Sequence, residues 1–160
     1  MNALFADAKF LEIVRAEGVP HPPSAVANYL PARRVGDLVY LSGQAPFRGK
    51  DIAYTGKCGS SVSLEDGKKA ARLTGLNLLY SVRDAVTPLD VVACVVGIDG
   101  MVNSTPDFTK QSEVIDACSD LLVEIFGDAG KYTRSAVGQV LLAFDIIVEI
   151  KMQLLLRDGC

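Results

Sequence analysis

A single histidine, His21, and four widely spaced cysteines without a CxxC pair leave little from which to build a metal site. Zinc needs clustered thiolates and imidazoles, whereas Cys94 and Cys118 sit inside apolar patterns, where a thiol acts as a small core residue. His21 lies in a Pro-flanked loop and is read as a residue without chemistry. A basic surface is missing too. Sixteen Lys and Arg face 19 Asp and Glu, for a net charge of −3, and the basic clusters stop at Arg33-Arg34 and Lys68-Lys69. That is too short for a phosphate track, so a nucleic-acid partner is not expected. The most apolar run, Phe144 to Leu156, is broken by Asp145, Glu149, Lys151 and Gln153. It falls short of the roughly 20 residues a membrane span needs, so no membrane role is expected. The N-terminus lacks a basic region followed by a long apolar one, and the expected location is cytoplasmic.

What is present is globular. Hydrophobic residues make up 49% and charged residues 22%, with no repeat and no internal linker. One domain over 1–160 follows, with 1–22 as a helical extension and linker. Residues 2–17 have helical spacing, stopped by Gly18 and Pro20. Ala25 to Arg33 and Leu38 to Gln44 read as strands joined by a Gly36-Asp37 turn, and Pro46 to Ser61 as a loop with a short strand at 52–55. Ser63 starts a long helix whose buried stripe includes Leu64, Ala71, Thr74, Leu78 and Val82. Val91 to Val102 is rich in β-branched residues and is expected to be covered on both faces. Thr105-Pro106 reads as a helix start. The helix it opens buries Val114, Cys118, Leu121, Leu122 and Ile125, and ends at Gly127. Tyr132 to Val140 and Phe144 to Leu156 close the chain as strands. In the last, Ile146, Val148, Ile150, Met152 and Leu154 share one face. The order satisfies an α+β fold: one sheet, two long helices on one face and an N-terminal helix. The half-apolar opposite face reads as an association surface between copies.

Two stretches carry polar groups that a core would not choose. Tyr29 precedes Val35-Gly36-Asp37-Leu38-Val39-Tyr40-Leu41-Ser42-Gly43-Gln44. Arg134-Ser135-Ala136-Val137-Gly138 precedes Val148-Glu149-Ile150. A guanidinium followed by a carboxylate on late strands suggests a small anion-binding pocket with an acid placed to handle water.

These segments also match a known family in order and spacing. The carriers are Asn28-Tyr29, Gly36-Asp37-Leu38, Leu41-Ser42-Gly43-Gln44, Val102 to Phe108, Ser119 to Glu124, Phe126-Gly127, Arg134 to Gly138 and Val148-Glu149-Ile150. The chain resembles the reactive intermediate deaminase (Rid, YjgF-like, putative endoribonuclease L-PSP) family over about Asn28 to Leu155. Tyr54-Thr55-Gly56-Lys57 and Val137-Gly138 are similar to its longer-looped subgroup. The resemblance implies a chorismate-mutase-like fold and a homotrimer with clefts between subunits, and no cofactor or metal. It implies hydrolysis of enamines and small 2-imino acids, released by pyridoxal-phosphate enzymes, to 2-oxo acids and ammonia. By the same resemblance Arg134 clamps the substrate carboxylate, Glu149 holds the attacking water, and Tyr29 orients substrate or water. Ser42 and Gly43 line the pocket. The segment Arg134-Ser135-Ala136 adds binding contacts, the Ala136 N–H among them. Two departures stand out. Residues 139–145 replace small residues and a proline, so the turn before the last strand is expected to differ. Lys151, two residues after Glu149, would lower its basicity if the two paired.

Two rival classes remain: a non-catalytic trimer that captures a small carboxylate as a signal, and an RNA-cleaving enzyme. The acidic balance and the lack of a basic or aromatic stripe speak against the second.

Overall fold

The computed structural model describes residues 5–24 and 27–157. Helix α1 (Ala6–Ala16) leads into strands β1 (Ala32–Val35) and β2 (Leu38–Leu41), which pair across the Gly36-Asp37 turn. A two-stranded ribbon, β3 (Phe47–Arg48) with β4 (Asp51–Ile52), precedes the long helix α2 (Leu64–Val86). Strand β5 (Val92–Asn103), helix α3 (Gln111–Phe126), and strands β6 (Thr133–Gln139) and β7 (Val148–Leu156) complete the chain. The five-stranded sheet has the order β1-β2-β7-β5-β6, antiparallel except for the parallel pair β5–β6. This is the α+β architecture the sequence calls for.

The period of two in β7 decides the layering. Val148, Ile150, Met152, Leu154 and Leu156 are buried toward α2 and α3, while Glu149, Lys151, Gln153 and Leu155 alternate onto the open face. Ser63 caps α2, its side chain accepting from the Asp66 N–H, as the sequence predicts. The two helices approach closely because α2 carries Gly75. A Cβ there would stand 2.9 Å from Leu121 Cδ2 and 3.0 Å from Cys118 Sγ. Gly127, at φ 61, ends α3.

Four expectations need correction. The first strand begins at Ala32; residues 27–29 and 31 form bends, and Ala25 and Val26 lie outside the described residues, as do Asn2 to Leu4 of the expected first helix. The last strand begins at Val148, because Ala143–Asp145 form a single tight turn. Thr105-Pro106 does not open α3. The Thr105 N–H donates to Cys58 O at 3.0 Å and its carbonyl closes a turn with the Phe108 N–H, so the helix waits until Gln111. Finally, β5 is not covered on both faces within one chain, since Val96 and Asp99 are exposed.

Cys118, fully buried between the helices, fixes an alkaline limit. Burial pushes its thiol up from 9.0 to about 12, against the opposing pull of the Arg134 guanidinium. Burial likewise pushes the Tyr132 hydroxyl from 10.0 to about 12. Both groups keep their protons longer folded than unfolded, so their contribution is complete below the unfolded values and drains away as pH rises toward about 12. Urea midpoints should hold to about pH 9 and then fall; in a Cys118→Ala variant the fall should start nearer pH 10. Superimposable profiles would show that the thiol contributes nothing.

Candidate functional site

A cavity of about 430 Å³ opens between the β2–β7 junction and the segment following α1, with Glu149, Ser42, Gly43, Tyr29, His21 and Phe144 among its walls. Glu149 reaches it by alternation on β7. Beyond the regular pairing of β2 with β7, Gln44 and Ile150 exchange backbone hydrogen bonds at 3.0 and 3.1 Å, which lays Gly43 against Glu149. A Cβ on residue 43 would lie 2.0 Å from Glu149 Oε1. The glycine is therefore a matter of space: the carboxylate occupies the volume any side chain would take. Ser42 donates its hydroxyl to Leu30 O at 2.7 Å and its N–H to Pro31 O at 2.9 Å, tying the Tyr29 loop to the end of β2.

Among the described residues the Glu149 carboxylate has no hydrogen-bond or ion-pair partner. Lys151 shares its face of β7, yet no ion pair joins the two. An acid left unpaired in a concave site is free to hold a water or a cationic ligand.

The opposite wall comes from the N-terminal extension. Helix α1 is fastened to α2 by Arg83 on Asp7 at 2.9 Å, by Arg72 on Glu17 at 2.7 Å, and by an edge-to-face contact of Phe10 with Tyr80 at 4.9 Å. Tyr80 also donates to Val19 O at 2.8 Å, which sets the start of the Pro-rich stretch. His21 then lies against Tyr80, with ring centroids 4.6 Å apart, and pairs through Nε2 with Asp84 at 3.0 Å. Its Nδ1 sits 2.7 Å from Pro22 O. With both nitrogens engaged, the imidazole offers Ser42 no free base, and no nucleophile–base pair arises. Buried Asn77 of α2 donates to Ala45 O and Phe47 O, both at 2.9 Å, and holds the third side of the cavity.

The fourth side is the turn before β7. Phe144 (φ 57) and Asp145 (φ 54) are both left-handed, a conformation that costs a non-glycine residue about 1–2 kcal/mol. Three ties hold it: Asn103 Nδ2 to Asp145 Oδ1 at 3.1 Å, the Gly56 N–H to Asp145 O at 2.8 Å, and the Lys57 ammonium on Val140 O. The Tyr54-Thr55-Gly56-Lys57 loop thus clasps the departing segment, and Phe144 stands 70% exposed at the cavity mouth.

Arg134 lies elsewhere. On edge strand β6 it is in register with Ile98 and Met152, both buried on the helix face, opposite to the face of Glu149. Its guanidinium is held by Ser119 Oγ at 2.8 Å, Ser112 Oγ at 2.7 Å and Asp116 Oδ1 at 2.8 Å, all on α3. Tyr132 also donates to Ser119 Oγ, at 2.6 Å. Ser135 is exposed and Ala136 half-buried on the same strand. One chain therefore brings Tyr29, Ser42, Gly43 and Glu149 together and leaves Arg134, Ser135 and Ala136 outside that cavity. His21, Asp84 and Phe144 are wall residues that sequence reasoning missed. The one available signal was the unusual 139–145 segment.

Among the described residues no three His, Cys, Asp or Glu side chains are grouped to hold a metal ion, and no helix is long and apolar enough to cross a membrane.

The model of the family described as YjgF/chorismate mutase-like, putative endoribonuclease matches residues 12–152. The chain belongs to that family. Among its relatives, protein TCP17 of Trypanosoma cruzi is 35% identical over 133 residues, covering 82% of this chain and 83% of that protein. The crystal structure of Atu1372 from Agrobacterium tumefaciens, a protein of unknown function, superposes with a TM-score of 0.86 at 32% identity, covering 97% of this chain and 94% of that one. The structure of E. coli TdcF with bound serine has a TM-score of 0.64 at 19% identity, over 86% and 94% of the two chains, and shares the fold. YjgF-like membership agrees with the resemblance read from the sequence, and the Tyr54–Lys57 loop clasps the turn before β7.

Proposed function

We propose that this YjgF-like protein is a hydrolase that deaminates 2-imino acids and the enamines that tautomerise to them, acting as a homotrimer with clefts between neighbouring copies. The observation that carries the reading is the unpartnered Glu149 carboxylate, pressed onto Gly43 in a concave cavity. An iminium carbon is already electrophilic, so the chemistry asks for a held water and little else. Water adds its oxygen to the C=N carbon as the π pair moves to nitrogen, and Glu149 takes the released proton. It then returns that proton to the amine and takes up the carbinol hydroxyl proton as the C=O bond forms and the C–N bond breaks, releasing ammonia and a 2-oxo acid. Tyr29 and Ser42 orient substrate and water.

Arg134 joins this scheme as the carboxylate clamp contributed by a second copy. Its position on the outer strand of the sheet suits that role, because among the described residues β6 has no partner strand on its far side. Asp116, Ser112 and Ser119 would hold the fork in a fixed orientation for bidentate recognition. Serine in the TdcF structure is an α-amino acid, which accords with a cleft for amino-acid-sized carboxylates. The alternative is a carboxylate-binding module without turnover, which the same fixed fork would serve. An amino-acid dehydratase supplied with its substrate separates the two. Faster release of 2-oxo acid when the protein is added supports the hydrolase; unchanged release with carboxylate binding supports the module.

A further inference from the structure

We infer that the cavity selects 2-imino acids with a large apolar side chain, and that Phe144 is the specificity-determining residue. The inference rests on the imine-hydrolase reading and narrows its substrate class away from the smallest imines. The cavity's volume, about 430 Å³, falls in the ~300–1,000 Å³ range of pockets that enclose sizeable ligands. An imine with a methyl or ethyl substituent would leave most of it unfilled.

The lining decides what fills the remainder. Among the described residues Glu149 is the one carboxylate facing the cavity without a partner, because Asp84 is hydrogen-bonded to His21. The two hydroxyls of Ser42 and Ser81 are spent on backbone carbonyls, Leu30 O at 2.7 Å and Asn77 O at 3.3 Å. Tyr29 and Gln44 add polar groups to the lining, whose apolar walls include Pro22, Pro31, Phe47, Phe144 and Ile146. A ligand therefore meets one acid at one end and hydrocarbon over most of its surface. A charged or hydroxylated substituent packed against those apolar walls would lose its water without a partner there.

Phe144 is the wall residue whose position needs explaining. A phenyl ring 70% exposed on a left-handed residue contributes little to the core, yet three hydrogen-bonded ties keep the turn in place. Backbone strain maintained by surrounding contacts concentrates where a binding site requires it. Held this way, the ring forms the outer apolar wall against which a substituent packs.

The test uses the full-length protein and an L-amino-acid oxidase to generate imines from alanine, leucine and phenylalanine, with semicarbazide trapping of the unhydrolysed imine as readout. The wild type should favour the leucine- and phenylalanine-derived imines over the alanine-derived one by about tenfold or more in kcat/KM, the scale of apolar pocket discrimination. Phe144→Ala should lose most of that preference, the ratio of kcat/KM for the leucine- and phenylalanine-derived imines over the alanine-derived one falling toward unity; Phe144→Leu should fall between. An alanine preference in the wild type, or an unchanged ratio in Phe144→Ala, overturns the inference and leaves the hydrolase reading intact. No acceleration of any imine overturns both.

Discussion

Glu149→Gln should lower kcat for imine hydrolysis by about 10²–10⁴-fold while KM stays within a few-fold, the signature of a lost proton acceptor with binding retained. The amide is nearly isosteric, so it fits the space above Gly43 and the fold should not notice. It can still accept one hydrogen bond from water but cannot take its proton. Stopped assays on oxidase-generated imines, together with urea denaturation of both proteins, provide the comparison. Equal turnover would remove Glu149 from the chemistry, and a parallel fall in stability would make its role structural.

Arg134→Ala should raise KM and lower kcat/KM by a factor of roughly 30 to several thousand, the counterpart of the about 2–5 kcal/mol carried by a buried charge contact. Arg134→Lys should not restore it, because an ammonium cannot reproduce a planar two-pronged contact. Stability should fall by only about 1–2 kcal/mol, since the released Asp116 side chain is 51% exposed and can be hydrated. Mixing the two inactive variants gives the decisive result. If each site takes Glu149 from one copy and Arg134 from the next, random co-assembly of Arg134→Ala with Glu149→Gln restores about a quarter of the sites around a closed ring. A mixture as inactive as its components rules out a site shared between copies. Full activity in Arg134→Ala alone would mean that its bonds to Ser112, Asp116 and Ser119 are its whole function.

The fold was readable wherever a single period governed burial. The alternation in β7 and the three- and four-residue spacing of Val114, Cys118, Leu121, Leu122 and Ile125 identify their core faces without ambiguity. Misreadings fell where long-range hydrogen bonds overrode local signals. Thr105-Pro106 has the composition of a helix start, but the Thr105 N–H is claimed by Cys58 O, a partner 47 positions away in the chain. Phe144 and Asp145 carry no turn signature because clasping contacts, not glycine, impose their left-handed backbone. The site divided along the same line. Ser42, Gly43 and Glu149 meet because neighbouring strands bring them together. His21 joins them through Tyr80 and Asp84, pairings of residues about 60 positions apart that no local pattern encodes.

Glu149 and Gly43 belong to the sheet, whereas His21 and the prolines around it belong to an arm riding on α2. The reacting group and the wall facing it are thus on separate pieces of chain. Insertions, deletions or swaps ahead of the first strand can then reshape what enters the cleft while the acid keeps its place. Diversification within such a lineage has an inexpensive route: trade the arm, keep the sheet.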